Sequence, residues 1–367
     1  MYSYVAPGHP PQHAQERRVP GTPACYYGRM PSFRRHSGRR QVRAVVRFVI
    51  AGVVVAALVL AATGAAYEAL AEYYDRQTFP RHGRGFDVGG HRLNLDCEGQ
   101  GSPVVVLDSG VGEPARTWAL VQPQVAGFTR VCSYDRAGYG WSDPGPEPRT
   151  SVQMVAELHT LLANAGVNPP LILVGHSLGG LNIRLYAARY PGQVAGMVLV
   201  DASHPDQQAK GFRPHVSPLA WLEPALLHLG VLRAFFVLEG SAKIPPGLRD
   251  ELEFLMLQPD ALAANFDEVR HFGESASAVR TTRNLGNLPL IVLTATEGNR
   301  RRPLLNRAWL QDLQPDLARL SSHGKQILVG SGHAIQLQQP GAVVQAVQEV
   351  VEDARGNAAG SAGLKKP

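Results

Sequence analysis

Residues 171–180 read L-I-L-V-G-H-S-L-G-G. An apolar run stops abruptly at Gly175-His176-Ser177-Leu178-Gly179, and residues 178–189 that follow are compatible with a helix, so the pattern is strand, sharp turn, helix. The spacing G-x-S-x-G in that setting is a nucleophile elbow. Its two glycines have a mechanical purpose: the turn is too tight for a Cβ at either flank, and it pushes the Ser177 hydroxyl out from the top of a sheet. The backbone N–H of Leu178 opens the helix and points at the same spot, where it can help to hold an oxyanion.

The rest of the chain is consistent with a large domain built around that turn. At 367 residues and 44% hydrophobic content it can bury one substantial core and still carry appendages. No repeat array is visible. The net charge of +6 misleads until it is divided: residues 1–47 hold nine arginines and one acid, Glu16, for a net of +8, which leaves the remaining 320 residues at −2. The basic character therefore belongs to a tail and does not describe a nucleic-acid groove. Three cysteines without C-x-x-C spacing, and thirteen histidines without H-E-x-x-H, argue against a metal site.

Residues 1–38 are rich in Pro, Gly, Arg and Tyr without apolar periodicity and are expected to be disordered. Arg39, Arg40, Arg43 and Arg47 then precede residues 48–67, an uncharged run dominated by Val, Ala and Leu. As a helix this run spans ~30 Å, the thickness of a bilayer core. A cleavable secretory signal would have a shorter head and a shorter apolar region, a twin-arginine signal would be less apolar, and a buried soluble helix would show a polar face. Residues 39–67 are thus expected to form a single-pass anchor with its basic flank cytoplasmic and the following domain on the far side. Residues 68–84 continue as a polar, helical stalk.

Beyond the stalk the pattern turns to short strands. Residues 85–89 and 91–97 alternate around a Gly-Gly turn, whereas 104–108, 131–134, 197–200, 288–294 and 326–329 are continuous apolar runs of the kind covered on both faces. Helical spacing marks residues 154–165 and 342–351, with a further helix-like stretch at 118–125 and a polar tail at 356–367. The 86 residues between Asp201 and Leu288 exceed an ordinary crossover. They hold amphipathic patches at 219–227 and 248–257, broken by prolines.

Four pieces occur in a telling order: V-V-V-L-D-S-G-V-G at 104–112, Y-D-R-A-G-Y-G-W-S at 134–142, the elbow, and G-S-G-H at 330–333. On these pieces, residues 83–353 resemble the α/β-hydrolase fold family. The resemblance implies an α/β chain, a mostly parallel eight-stranded sheet with helices on both faces and a helical cap, here preceded by one transmembrane helix. Residues 85–201 and 288–355 would be the two parts of the core, and 202–287 the cap. Trp221, Phe235, Phe236, Phe254, Met256 and Phe266 would then line an apolar substrate pocket or fill the cap's own core, the second being the better expectation for each one singly. Under the family topology Cys97 and Cys132 lie on neighbouring strands, so a disulfide is conceivable, with two buried free thiols the slightly favoured alternative.

A serine hydroxyl needs a base within hydrogen-bond reach. His333, after a late strand and in the family's Ser…acid…His chain order, is the expected base. For the acid, Asp201 directly abuts its strand and is preferred over Glu297, which follows the next one. By the resemblance the second oxyanion donor is the N–H of Val111, in a loop where family members usually carry a histidine. Residues 135–140 would shape the site floor. The expected activity is hydrolysis of a small-molecule ester through an acyl-enzyme on Ser177, with no cofactor and no nucleic-acid partner. Epoxide hydrolases and haloalkane dehalogenases of this fold need an aspartate at the elbow, which Ser177 argues against. Iminopeptidases, hydroxynitrile lyases and cofactor-free peroxidases keep the serine and stay open, as does a membrane-tethered binding protein.

Overall fold

Strand β5 (Leu171–His176) is buried along its whole length and lies in the middle of one eight-stranded sheet. The structure, a computed structural model, describes residues 28, 37–212, 222–236, 243–282, 284–297 and 303–363. The other strands are β1 (Arg84–Asp87), β2 (Arg92–Glu98), β3 (Val104–Asp108), β4 (Val131–Tyr134), β6 (Val194–Val200), β7 (Leu290–Ala295) and β8 (Gly324–Val329). Their order is β1-β2-β4-β3-β5-β6-β7-β8. The β1–β2 and β2–β4 pairs are antiparallel and every other pair is parallel.

Alternate residues of each inner strand feed two separate cores, as a pleat with period two requires. Val104 and Val106 of β3 join one core with α3 (Ser151–Asn164) and α4 (Leu178–Arg189). Val105 and Leu107 join the other with α2 (Gln122–Ala126) and α13 (Pro340–Gly363). Each fully buried Val or Leu contributes about 1.5–3 kcal/mol of transfer free energy. Helices therefore cover both faces, which explains why these strands read as unbroken apolar runs.

Several boundaries differ from the sequence reading. The stretch at 118–125 is a 3-10 turn at Ala115–Trp118 followed by the short α2, because Pro123 can sit in a first helical turn but cannot be crossed. After the short helices α10 (Pro303–Ala308), α11 (Gln314–Ala318) and α12 (Ile335–Gln338), the final helix, α13, continues to Gly363, since no proline stops it; residues 364–367 lie outside the described residues. Cys97 and Cys132 are directly opposite in the β2–β4 register, with Cα atoms 4.1 Å apart, and are joined as a disulfide. The favoured expectation of free thiols is thereby corrected. The antiparallel register that brings the pair together was not readable from spacing.

Between β6 and β7 the described cap holds α5 (Glu223–His228), α6 (Val231–Phe235), α7 (Pro246–Met256), α8 (Pro259–Arg270) and α9 (Phe272–Val279). Prolines 224, 246 and 259 stand in first turns, where a missing N–H costs nothing. The 219–227 patch is thus helical only from Glu223 among the described residues, and Trp221 lies outside them. Phe254 is buried, stacked on Phe79 and edge-on to Trp141, so it belongs to the packing between cap and core.

The N-terminal helix α1 (Ser37–Thr78) is continuous through the expected anchor and most of the expected stalk. The chain divides into two units at residues 57 and 58. The first contains the start of α1, whose apolar side chains such as Phe48 are exposed; the tail expected to be disordered lies almost wholly outside the described residues. Within the second unit the last turns of α1, which include most of the expected polar helical stalk, are docked on the cap. A Cβ on Gly64 would collide with the Leu229 carbonyl, and one on Gly230 would press on the Tyr67 ring. Two turns apart on one helix face, Glu68 and Asp75 hold the Arg233 guanidinium at 3.0 Å and 2.7 Å. Burial opposes that charge, but the two carboxylates outweigh it and keep the Arg233 pKa above its ordinary value. Arg76 reaches Gln258 at 3.1 Å.

Candidate active site

Ser177 and Asp201 are the two non-glycine residues with positive φ among the described residues, at 49° and 40°. Each such conformation costs on the order of 1–3 kcal/mol and persists only where the surroundings over-determine it. Here the surroundings are the carboxyl ends of β5 and β6, neighbours in the sheet. The Ser177 N–H donates to the Val200 carbonyl at 3.2 Å, and the Ser203 N–H donates to the Ser177 carbonyl at 2.9 Å, so the two strand ends are laced together. A Cβ on Gly175 would lie 2.6 Å from Gly179 backbone, and one on Gly179 would strike the Asp108 carbonyl. Both elbow glycines are needed for the reason the sequence indicates.

His333 sits in the loop after β8, its side chain 42% exposed. Its Nδ1 lies 2.6 Å from Asp201 Oδ2. The other carboxylate oxygen, Oδ1, accepts from the Ala295 N–H at 3.0 Å and the Trp309 Nε1–H at 2.8 Å. Asp201 is thus fully engaged and fixed from three sides. Glu297, the alternative acid, is exposed on the turn after β7, where its N–H donates to the Ser331 carbonyl. The reason is positional: β7 ends at Ala295, which spends its N–H on Asp201, and the chain has turned outward by residue 297. Trp309 was not singled out from sequence, and nothing in its local pattern marks it.

The loop after β3 faces the elbow. The Gly110 N–H donates to Glu113 Oε2 at 2.8 Å and the Gly112 N–H to the Tyr139 hydroxyl at 3.3 Å, whereas the Val111 N–H between them bonds no described residue. As the first residue of α4, Leu178 has no intrahelical acceptor for its own N–H. Among the described residues Val111 and Leu178 thus each keep a backbone N–H unspent, one on either side of the elbow. Arg136, from the 134–142 motif, is buried and braces this loop: it donates to the Ser109 and Gly110 carbonyls at 2.7 Å each and pairs with Asp108 and with Glu268 of α8. Burial pushes the Asp108 carboxyl up to about 6 against the pull of Arg136 and the Tyr134 hydroxyl.

A second acid–histidine pair lies beneath the serine. His176, wholly buried, meets Glu113 Oε2 through Nδ1 at 2.8 Å and the His333 carbonyl through Nε2 at 3.0 Å, and its ring is 4.6 Å from the His333 ring. Gln336 Nε2 approaches the same Nδ1 at 3.1 Å. Burial works to raise the Glu113 pKa, but His176, the Gly110 N–H and His333 together outweigh it and hold the group below its ordinary value. One carboxylate thereby ties the loop after β3, the elbow and the His333 loop together. Sequence reading missed Glu113 and Gln336, because their partners are 63 and 160 residues away.

Above the Val111 loop opens a cleft of ≈ 410 Å³, lined by Val111 and Gly112 on one side and by Leu232, Phe235, Phe236 and Met256 of the cap on the other. Phe266 lines an adjoining apolar cleft of ≈ 340 Å³. Among the described residues no cluster of three or more His, Cys, Asp or Glu could hold a metal ion.

The family model described as the alpha/beta hydrolase family matches residues 104–346. Among curated proteins, the chain is 34% identical over 125 residues to the probable transporter efuK of Hormonema carpetanum, which is 32% of this chain and 18% of that protein. It is 24% identical over 247 residues to the human (lyso)-N-acylphosphatidylethanolamine lipase, covering 66% of this chain and 70% of the lipase. For five of the first six such relatives the matched part is less than two-fifths of their length. Among solved structures, Cfl2 from Burkholderia cenocepacia superimposes with a TM-score of 0.61 at 23% identity, over 73% of this chain and 95% of that one.

Proposed function

The chain belongs to the alpha/beta hydrolase family, and from that premise we propose that it is a membrane-anchored serine hydrolase that cleaves carboxylic esters through an acyl-enzyme on Ser177. The observation that carries the reading is the 2.6 Å approach of Asp201 to His333 at the strand end next to a strained Ser177. His333 takes the Ser177 proton through Nε2 as Oγ attacks the ester carbonyl, and Asp201 holds the ring in the tautomer with the proton on Nδ1 and stabilises the cation that forms. The N–H groups of Val111 and Leu178 receive the oxyanion. His333 then protonates the departing alcohol, and the same groups direct water onto the acyl-enzyme.

Anchoring is supported by α1, which has a window of mean hydropathy 2.7 and is long enough to cross a bilayer. The arginines before it favour a cytoplasmic amino terminus, and the Cys97–Cys132 disulfide favours an oxidising compartment for the domain. Ser177→Ala tests the chemistry: labelling by a fluorophosphonate probe and turnover of p-nitrophenyl butyrate should both vanish. Undiminished turnover would end the proposal.

A further inference from the structure

The contact between α1 and the cap fixes where one part of the cap sits along the apolar helix. Gly64, against which Leu229 packs, lies three residues inside the end of the uncharged run 48–67, roughly 4.5 Å along the axis. Tyr67, against which Gly230 packs, is the run's last residue. If that run spans a bilayer, the turn joining α5 to α6 stands at the depth where the hydrocarbon gives way to headgroups.

The composition of that cap segment suits this depth. Residues 222–236 read L-E-P-A-L-L-H-L-G-V-L-R-A-F-F, with two formal charges. Arg233 is paired with Glu68 and Asp75, so its placement leaves no unpaired cation; the cluster sums to −1, and both carboxylates stand on α1 beyond the end of the uncharged run, at headgroup depth, while Glu223 lines the cleft. Phe235 is 80% exposed, so its ring offers apolar surface that gains by transfer into an interfacial layer. The same segment supplies Leu232, Phe235 and Phe236 to the cleft that reaches Val111.

We propose that residues 222–236 are immersed in the interfacial layer of the membrane and that the cleft beside them admits a long-chain acyl ester dissolved in that bilayer. The substrate then enters sideways from lipid, its chain along the apolar cap residues and its carbonyl toward Val111 and Ser177. The proposal rests on the anchored-hydrolase reading and names the substrate class of that same site.

The test uses the full chain in phosphatidylcholine vesicles, with Cys25→Ser removing the remaining thiol. Ala225→Cys and Ala234→Cys, both exposed, and Glu352→Cys on α13 as the reference are labelled with an environment-sensitive fluorophore. Lipids with a shallow spin-label quencher should quench the two cap positions at least threefold more than residue 352. Equal, weak quenching at all three in vesicle-bound protein overturns the placement. The measurement gives the same answer in a Ser177→Ala background, so it does not depend on the chemistry.

Turnover then tests the substrate class. Ala234→Asp should lower hydrolysis of p-nitrophenyl palmitate dissolved in the vesicles at least tenfold and leave p-nitrophenyl butyrate in solution within twofold. Equal losses on both esters overturn the lateral entry. Hydrolysis of neither ester by the unsubstituted chain would defeat the esterase reading of Ser177, and the substrate half of this proposal with it, while leaving the quenching result standing.

Discussion

Where β5 and β6 end, the last five residues of both strands are buried, whereas in the cap segment 222–236 only Leu227 and Gly230 are. The two regions hold their shape by different means. At the strand ends, backbone strain at Ser177 and Asp201 is locked by a sheet that cannot shift without emptying two cores. In the cap, short helices lean on α1 through a glycine contact and one guanidinium between two carboxylates. The difference teaches that the groups proposed to react are placed by the fold as a whole, whereas the surfaces proposed to select a substrate are placed by a few local links. Substitutions in the two regions should therefore differ in kind as well as in size.

The largest effect belongs at the strand ends. Asp201→Asn keeps the shape of the site but offers an amide where the imidazole needs a carboxylate, so His333 loses its tautomer and the partner for its cation. We expect kcat on a soluble ester to fall on the order of 10⁴-fold with little change in KM. Glu297→Gln should stay within twofold. Steady-state kinetics decides it, and a loss under tenfold for Asp201→Asn would remove that residue from the proposed triad.

Glu113→Gln should be intermediate, because this residue positions three loops without meeting the reacting atoms. Kcat should fall roughly tenfold as the oxyanion donor drifts by fractions of an ångström. Stability should carry a second signature. A carboxyl whose folded pKa is depressed contributes stability that is present above its unfolded pKa and is lost as pH falls through the folded value. The advantage of the native chain over Glu113→Gln in urea unfolding should thus be full at pH 7 and shrink below about pH 4. An advantage that grows on acidification would contradict the role given to Glu113.

The same contrast explains what could be read in the sequence. Strands β3 to β7 announce themselves as apolar runs because both faces are covered, and Ser177 and Asp201 follow because each sits at the end of such a run; His333 follows β8, an apolar run that, at the sheet edge, leaves Leu328 exposed rather than covered on both faces as its composition suggests. Glu113, Gln336 and Trp309 could not be found that way. Each is defined by a partner dozens of residues off, and none breaks a local pattern. The disulfide needed the β2–β4 register, which alternation alone does not supply. The docking of α1 on the cap was hidden by its composition: Glu68, Glu72, Asp75 and Arg76 read as a polar helical stalk, and only the packed cap shows that Glu68 and Asp75 face a half-buried arginine.

The smallest effect on chemistry should come from Gly64→Leu, which sharpens the comparison from the cap side. Leucine is a better helix former than glycine and keeps the run apolar, so α1 and the membrane association should persist. A side chain at residue 64 cannot coexist with the Leu229 carbonyl, however, so the α5–α6 turn must move off the helix. The strand ends have no contact with this position and should not respond. Hydrolysis of p-nitrophenyl butyrate is expected to stay within twofold. Amide hydrogen exchange in residues 222–236 should accelerate about tenfold, with β5 and β6 unchanged, as for a local opening independent of the global one. Faster exchange in β5 as well would mean that cap and sheet move as one body, and that chemistry and substrate selection are not held separately after all.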